Sequence, residues 1–252
     1  MLDVRSNLQP ASASRYHVSL AVDDSEIREA QRLRYKVFAE EMGARLSSVL
    51  PGHDIDLYDP FCDHLLVREL DSNEVVGTYR ILPPEAARRV GSYYSEQEFD
   101  LARLARLRPR MVEVGRSCIH PGYRSGAAIF MLWAGLARYM VQNGYEYMIG
   151  CASMGMGDGG HAAASIYARI KQRHSCPLEY RAFPLCRLPL EHLDATRAAE
   201  LPPLVKGYLN IGAWVCGEPA WDPDFNVADL LVLLPLANVN ARYAQHFFAK
   251  AA

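Results

Sequence analysis

The sequence predicts an α/β (α+β) fold with a mixed, mostly antiparallel central sheet flanked by helices. Three observations lead there. Strand-like and helix-like runs follow one another in the order β-α-β-β-α-β-α-β-α. The runs HLLVREL and VVGTYRIL are separated only by Asp71-Ser72-Asn73, a turn cluster too short for the crossover that parallel strands need. The apolar run LLVLLPLANV returns late in the chain, where it joins the same core. With 252 residues the chain can bury a sizeable core.

Residues 1–15 are polar and contain Ser, Ala and Pro, so they read as a flexible tail, and one domain is expected over 16–252. YHVSLAV (Tyr16 to Val22) alternates as a strand does. Asp24 or Ser25 then caps a helix in which Ile27, Ala30, Leu33, Val37 and Phe38 recur at helical spacing until Gly43. A loop from Ser47 to Cys62 carries Pro51-Gly52, Asp54, Asp56, Asp59 and Pro60. After the two strands joined by Asp71-Ser72-Asn73, residues 85–110 read as helical and charged. The strand MVEVGRSCI follows, then the turn HPGYRSG, an apolar helix, the strand YEYMIGCAS and the helix AAASIYARIKQRH. Residues 176–252 are Pro-rich and irregular at first, then supply the late apolar run and a short terminal helix, an extension packed on the same core.

The bulk numbers exclude several classes. A formal net charge of -2 gives no reason to expect nucleic acid. Cys62, Cys118, Cys151, Cys176, Cys186 and Cys216 form no C-x-x-C pair and no tight His/Cys cluster, so neither a metal site nor a disulfide framework is expected. No run reaches the roughly 18 apolar residues a membrane span needs, and the N-terminus lacks an apolar signal core. A cytoplasmic protein is expected.

The chemistry concentrates between Val112 and Trp133, in VEVGRSCIHPGYRSGAAIFMLW. Gly122 and Gly126 permit close approach of backbone to a ligand, and the next helix offers free N–H groups and its positive end. Arg124 adds a charge-assisted donor, so the turn reads as a cradle for a phosphate-bearing ligand. In the strand before it, Gly115 is the place where a bulge would free backbone groups for an extended ligand. Glu113 in an apolar strand would have a raised pKa and suits a general base; the competing reading is a Glu113–Arg116 ion pair that only closes the sheet. Cys118 and His120 raise a thioester-forming cysteine as a rival chemistry, with no third residue to orient the histidine. His161, in DGGHAAAS, reads as a helix-entry residue rather than a ligand.

This strand–loop–helix resembles the acyl-donor site of the GNAT acyltransferase superfamily. The further pattern LRYKVFAEEMG, DIDLYDPFCDHLLV, VVGTYRIL and VEVGRS resembles the acyl-homoserine-lactone synthases and their relatives. Arg34, Phe38, Asp56, Asp59, Arg80, Glu113 and Arg116 fall on the marked positions. The C-terminal LPPLVKGYLNIGAWVCGEPAWDPDFNVADLLVLLPLANVNARY is similar to the L-ornithine Nα-acyltransferases that begin ornithine-lipid synthesis. A Trp common after the first helix in lactone synthases is absent from Met42-Gly43-Ala44-Arg45, which counts against lactone formation.

The resemblance implies a GNAT-like fold and transfer of a 3-hydroxyacyl chain from acyl carrier protein to the α-amine of L-ornithine. It implies Glu113 as base and Tyr167 facing the donor sulfur. Arg34, Phe38, Asp56, Asp59, Arg80 and Arg116 would bind substrate or form an ion-pair network. The phosphopantetheine arm of the carrier would meet Ser117, Cys118, Tyr123, Arg124, Ser125, Gly126 and Ala127. No permanently bound cofactor is implied, and peripheral contact with the inner membrane is compatible with a lipid product. An acidic carrier would dock on Arg103, Arg106, Arg108 and Arg110, or on Arg169, Lys171 and Arg173. The alternatives are an acetyl-CoA-dependent acetyltransferase of small amines and a non-catalytic, hemolysin-like membrane-acting protein.

Overall fold

The computed structural model describes residues 15–124 and 126–240. Its strands are β1 (Tyr16–Leu20), β2 (Asp63–Glu69), β3 (Val75–Leu82), β4 (Phe99–Asp100), β5 (Met111–Ile119), β6 (Tyr147–Gly155), β7 (Phe183–Pro184), β8 (Trp214–Val215), β9 (Ala220–Asp222) and β10 (Val227–Pro235). The α-helices are α1 (Asp24–Tyr35), α2 (Pro84–Val90), α3 (Ala127–Asn143), α4 (His161–His174) and α5 (Pro203–Ile211). Eight strands form one sheet in the order β1-β2-β3-β5-β6-β10-β8, with β9 lying along β10, while β4 and β7 pair apart. Every pairing in it is antiparallel except β5–β6. The C-terminal strands therefore complete the same sheet.

Alternation along β2 sets the layers. Leu65 and Val67 pack with Leu132 and Leu136 of α3, and Leu66 packs with Ala30 and Leu33 of α1. Each such buried leucine or valine stabilises the fold by about 1.5–3 kcal/mol. A second cluster under β5, β6 and β10 joins Met111, Ile149, Leu231 and Leu233 to Phe99 and Leu104.

Three sequence expectations shift. Asp23, one residue earlier than expected, caps α1 by accepting from the Glu26 amide at 3.0 Å, and the helix ends in a π-helical stretch, Lys36–Glu41. Residues 85–110 are not one helix: α2 stops at Gly91, and 3₁₀ turns at Tyr94–Gln97 and Ala102–Arg110 enclose β4. Charge patterning could not reveal this, because the segment is organised by a carboxylate on another strand, as described below. The bulge in β5 falls at Arg116, not Gly115: the register with β3 slips there and Arg116 takes φ +51°. The two-carboxylate reach of its guanidinium explains why this bulky residue holds a left-handed conformation.

Candidate active site

The parallel β5–β6 ladder runs only from Met111–Tyr147 to Glu113–Ile149. Beyond that point the strands diverge while β5 stays paired to β3 and β6 to β10. At the fork a Cβ on Gly150 would lie 2.3 Å from the Val114 carbonyl oxygen, so glycine is needed where the two backbones touch. The fork opens into a cavity of about 790 Å³ whose walls include Glu113, Gly115, Arg116, Ser117 and Cys118. Much of the rest is apolar, with Phe130, Trp133, Met148, Leu204 and Leu234 among the lining side chains.

Glu113 is 4% exposed. Its Oε1 accepts from the Ser95 amide at 2.7 Å and from the Ser95 hydroxyl, and its Oε2 accepts from the Tyr94 amide. Those bonds fold the segment after α2 around the carboxylate. Burial pushes the Glu113 pKa up, and the three donors oppose that without cancelling it. The Glu113–Arg116 ion pair does not form, since Arg116 binds Asp54 at 3.1 Å and Asp56 at 3.4 Å.

The structure gathers Arg34, Asp56, Asp59, Arg80 and Arg116 into one network, and adds Asp54. Arg34, fully buried, reaches Asp54 and Asp59, each at 2.7 Å. Arg80 reaches Asp56 at 2.6 Å and Asp59 at 3.3 Å. Burial works to raise the Asp59 pKa, but the Arg34 and Arg80 guanidiniums outweigh it and hold the carboxyl well below its ordinary range. Phe38, Arg80 and Arg116 reach the cavity wall.

Tyr123, Arg124 and Gly126 line the cavity. Gly126 takes φ +97° at the start of α3, and Ala127 is the first residue of that helix. Ser125 lies outside the described residues. Arg124 is held by Glu41, with contacts of 2.6 and 2.7 Å, and donates to the Ile119 carbonyl.

Tyr167 lies on α4. It is buried within the main core and is not among the residues that line the cavity; its helical position put it on the sheet-packing face. The thiol of Cys118 is pushed up to about 12 by burial, so it is not a thiolate, and His120 meets Lys36 and the Gly122 amide instead. His161 opens α4 and accepts from the Asp194 amide at 2.9 Å. Arg108 and Arg110 are ion-paired with Glu96 and Glu146, and Arg103 and Arg106 lie over Phe183 and Tyr180.

Sequence reasoning missed a third feature of the cavity. Glu98, Asp222 and Asp229 line it, and their carboxylate oxygens lie within 4.8 Å of one another, a spacing that can hold a cation. Burial and the neighbouring carboxylates push Glu98 up to about 9. Burial also raises Asp229, to about 6, against a hydrogen bond from Ser153 at 2.6 Å. Asp229 had a readable signal, an acid in the middle of the apolar run VADLLVLL.

A fork between parallel strands that opens on an apolar cavity, beside a glycine-started helix, defines an acyltransferase of the GNAT class. Residues 33–134 match the acetyltransferase (GNAT) domain family. The structure is similar to that of the AHL synthase LasI, with TM-score 0.53 at 17% identity over 93% of this chain and 95% of that one. The chain is 38% identical over 252 residues to the L-ornithine N(alpha)-acyltransferase of Agrobacterium fabrum, covering 92% of this chain and 85% of that protein. It is 35% identical over 250 residues to the Brucella abortus protein of the same name, covering 93% and 89%. The chain belongs to the L-ornithine N(alpha)-acyltransferase family. Among the described residues no helix is long and apolar enough to cross a membrane.

Proposed function

We propose that this acyltransferase moves a 3-hydroxyacyl chain from acyl carrier protein to the α-amine of L-ornithine. The observation that carries this reading is one cavity into which three things open: the unpaired edge of β5, the buried Glu113 and the acidic group Glu98, Asp222 and Asp229. The edge supports an extended pantetheine arm bonded to backbone, with Tyr123, Arg124 and Gly126 toward its phosphate and the acyl chain in the apolar part. The acidic group supports an acceptor with a second ammonium, which agrees with the acceptor in the relatives' names. Asp56 and Asp59 do not serve it, being taken up by arginines.

An amine attacks a thioester only as the free base, and an α-ammonium ordinarily titrates near 7.7–8.0. Glu113, its pKa raised by burial, takes the proton directly or through a water. The nitrogen lone pair adds to the thioester carbonyl, and backbone amides around Ser117 and Cys118 hold the oxyanion. Collapse expels the pantetheine thiolate, which takes up the second proton lost from the nitrogen, and leaves an amide and the free thiol. Each preorganised oxyanion donor is worth about 2.7–4 kcal/mol.

The test is a competition read by mass spectrometry. The purified protein receives 3-hydroxyhexadecanoyl carrier protein, acetyl-CoA, the twenty amino acids and ornithine. The expected product is Nα-(3-hydroxyhexadecanoyl)ornithine, and Glu113→Gln is expected to lower its turnover about 10²–10⁴-fold with the fold retained. Acetylated amines alone, or no product beside binding to liposomes, would overturn the reading.

A further inference from the structure

Tyr79 of β3 and Tyr208 of α5 hydrogen-bond each other through their hydroxyls, and both rings line the cavity. Ser117, on the bulged part of β5, lines the same cavity. Tyr208 stacks on Trp133, with ring centroids 6.0 Å apart and planes 17° from parallel. This two-hydroxyl chain, Tyr79–Tyr208, thus runs from β3, beside the strand edge that lines the cavity, to the apolar wall formed by α3 and α5.

Counting protons shows what this chain lacks. Two hydroxyls carry two protons, and the link between them uses one. One donor is left over at whichever end the chain is oriented to leave free. Tyr79 and Tyr208 are 1% and 8% exposed, so little water reaches them, and a leftover donor there is costly without an acceptor.

We propose that this pair of tyrosine hydroxyls recognises the hydroxyl on carbon 3 of the acyl donor, at the site where the proposed acyl transfer occurs. Carbon 3 lies two carbons beyond the thioester carbonyl, so a chain that enters past Ser117 toward Trp133 carries its hydroxyl past Tyr79 and Tyr208. A ligand hydroxyl accepts the leftover proton and can return its own. A donor without it leaves that proton unpaired in an apolar wall. Protonation of the leaving thiolate is the other task for such a proton, and the tyrosines are poor at it. Burial pushes Tyr79 up to about 12 and Tyr208 well above its ordinary value, whereas a thiol ordinarily titrates near 8.5.

The test compares kcat/KM for 3-hydroxyhexadecanoyl and hexadecanoyl carrier protein with ornithine as acceptor. The wild-type protein is expected to prefer the hydroxylated donor, and Tyr208→Phe, which keeps the ring on Trp133, to reduce that ratio about tenfold. Should Tyr208→Phe not fold, Tyr79→Phe removes the other hydroxyl of the pair and is expected to move the ratio in the same direction. Equal use of both donors by the wild type, or a ratio unchanged in folded variants, overturns the inference and leaves acyl transfer standing. Failure to acylate ornithine from either donor overturns the functional reading and the inference with it.

Discussion

Two groups of buried and half-buried acids lie close to the same cavity and have opposite surroundings. Beneath β3 and β5, Asp54, Asp56 and Asp59 meet Arg34, Arg80 and Arg116, so the charges cancel within the protein. Across the cavity wall, Glu98, Asp222 and Asp229 sit together with no ion pair to any of them among the described residues. Their pKa values record the difference: Asp59 is held low and Glu98 is pushed up to about 9. An acid that finds its cation inside the fold serves the fold. One that finds none, on a cavity wall, is available to a cation that arrives with the substrate.

Removing a cation from the balanced group should give the largest effect. Arg34→Met leaves Asp54 and Asp59 buried without their main partner, and loss of one member of such a group costs about 3–5 kcal/mol. Urea unfolding followed by circular dichroism measures it. A variant as stable as the wild type would show that the arginine is not what neutralises these acids, and the contrast between the two groups would fail.

The unbalanced group should respond in binding rather than in folding. Asp229→Asn can keep its bond to Ser153 while losing the charge. The preference for ornithine over 2-aminopentanoate, which lacks the side-chain amine, should fall about 30-fold or more. Folding stability should hold or rise, because a charge in a repulsive group has been removed. Asp59→Asn should do the reverse, losing stability with the ornithine preference intact. If both variants changed the preference equally, the division between a structural and a ligand-facing group would be wrong.

How far the sequence revealed these groups follows from how each is built. Arg34, Asp56, Asp59, Arg80 and Arg116 were legible because a family pattern marks them, and Asp54 stands in the same loop, two residues before Asp56. The fork in the sheet was legible through the glycine-rich turn and Glu113. Its bulge was misplaced to Gly115 because permissive backbone suggests glycine, whereas side-chain bonds to Asp54 and Asp56 hold Arg116 there. Tyr167 looked functional from a family position, but packing turned it into the core. Glu98, Asp222 and Asp229 escaped notice because they come from three separate segments that only the sheet brings together. The same holds for Tyr79 and Tyr208, far apart in sequence and joined by the return of α5 to the sheet.

The smallest expected effect separates the groups by pH. Glu98 titrates at about 9 when folded, against an ordinary 4.5, so between those values the folded chain binds more protons than the unfolded one. Stability then falls as pH rises from about 4.5 to about 9. Asp229, raised to about 6 from 3.8, adds to the same trend at the lower end. Asp59 has the opposite sign: its folded pKa is depressed, so its contribution is present above 3.8 and is lost as the solution becomes more acid. Glu98→Gln removes the first trend and leaves the acid limb alone. The difference in Tm between pH 6 and pH 9 should shrink. Saturating ornithine should flatten the wild-type slope in the same window, because a bound ammonium favours the ionised carboxylates. A slope unchanged both by Glu98→Gln and by ornithine would mean that the acidic group is neutralised by something other than an acceptor's charge.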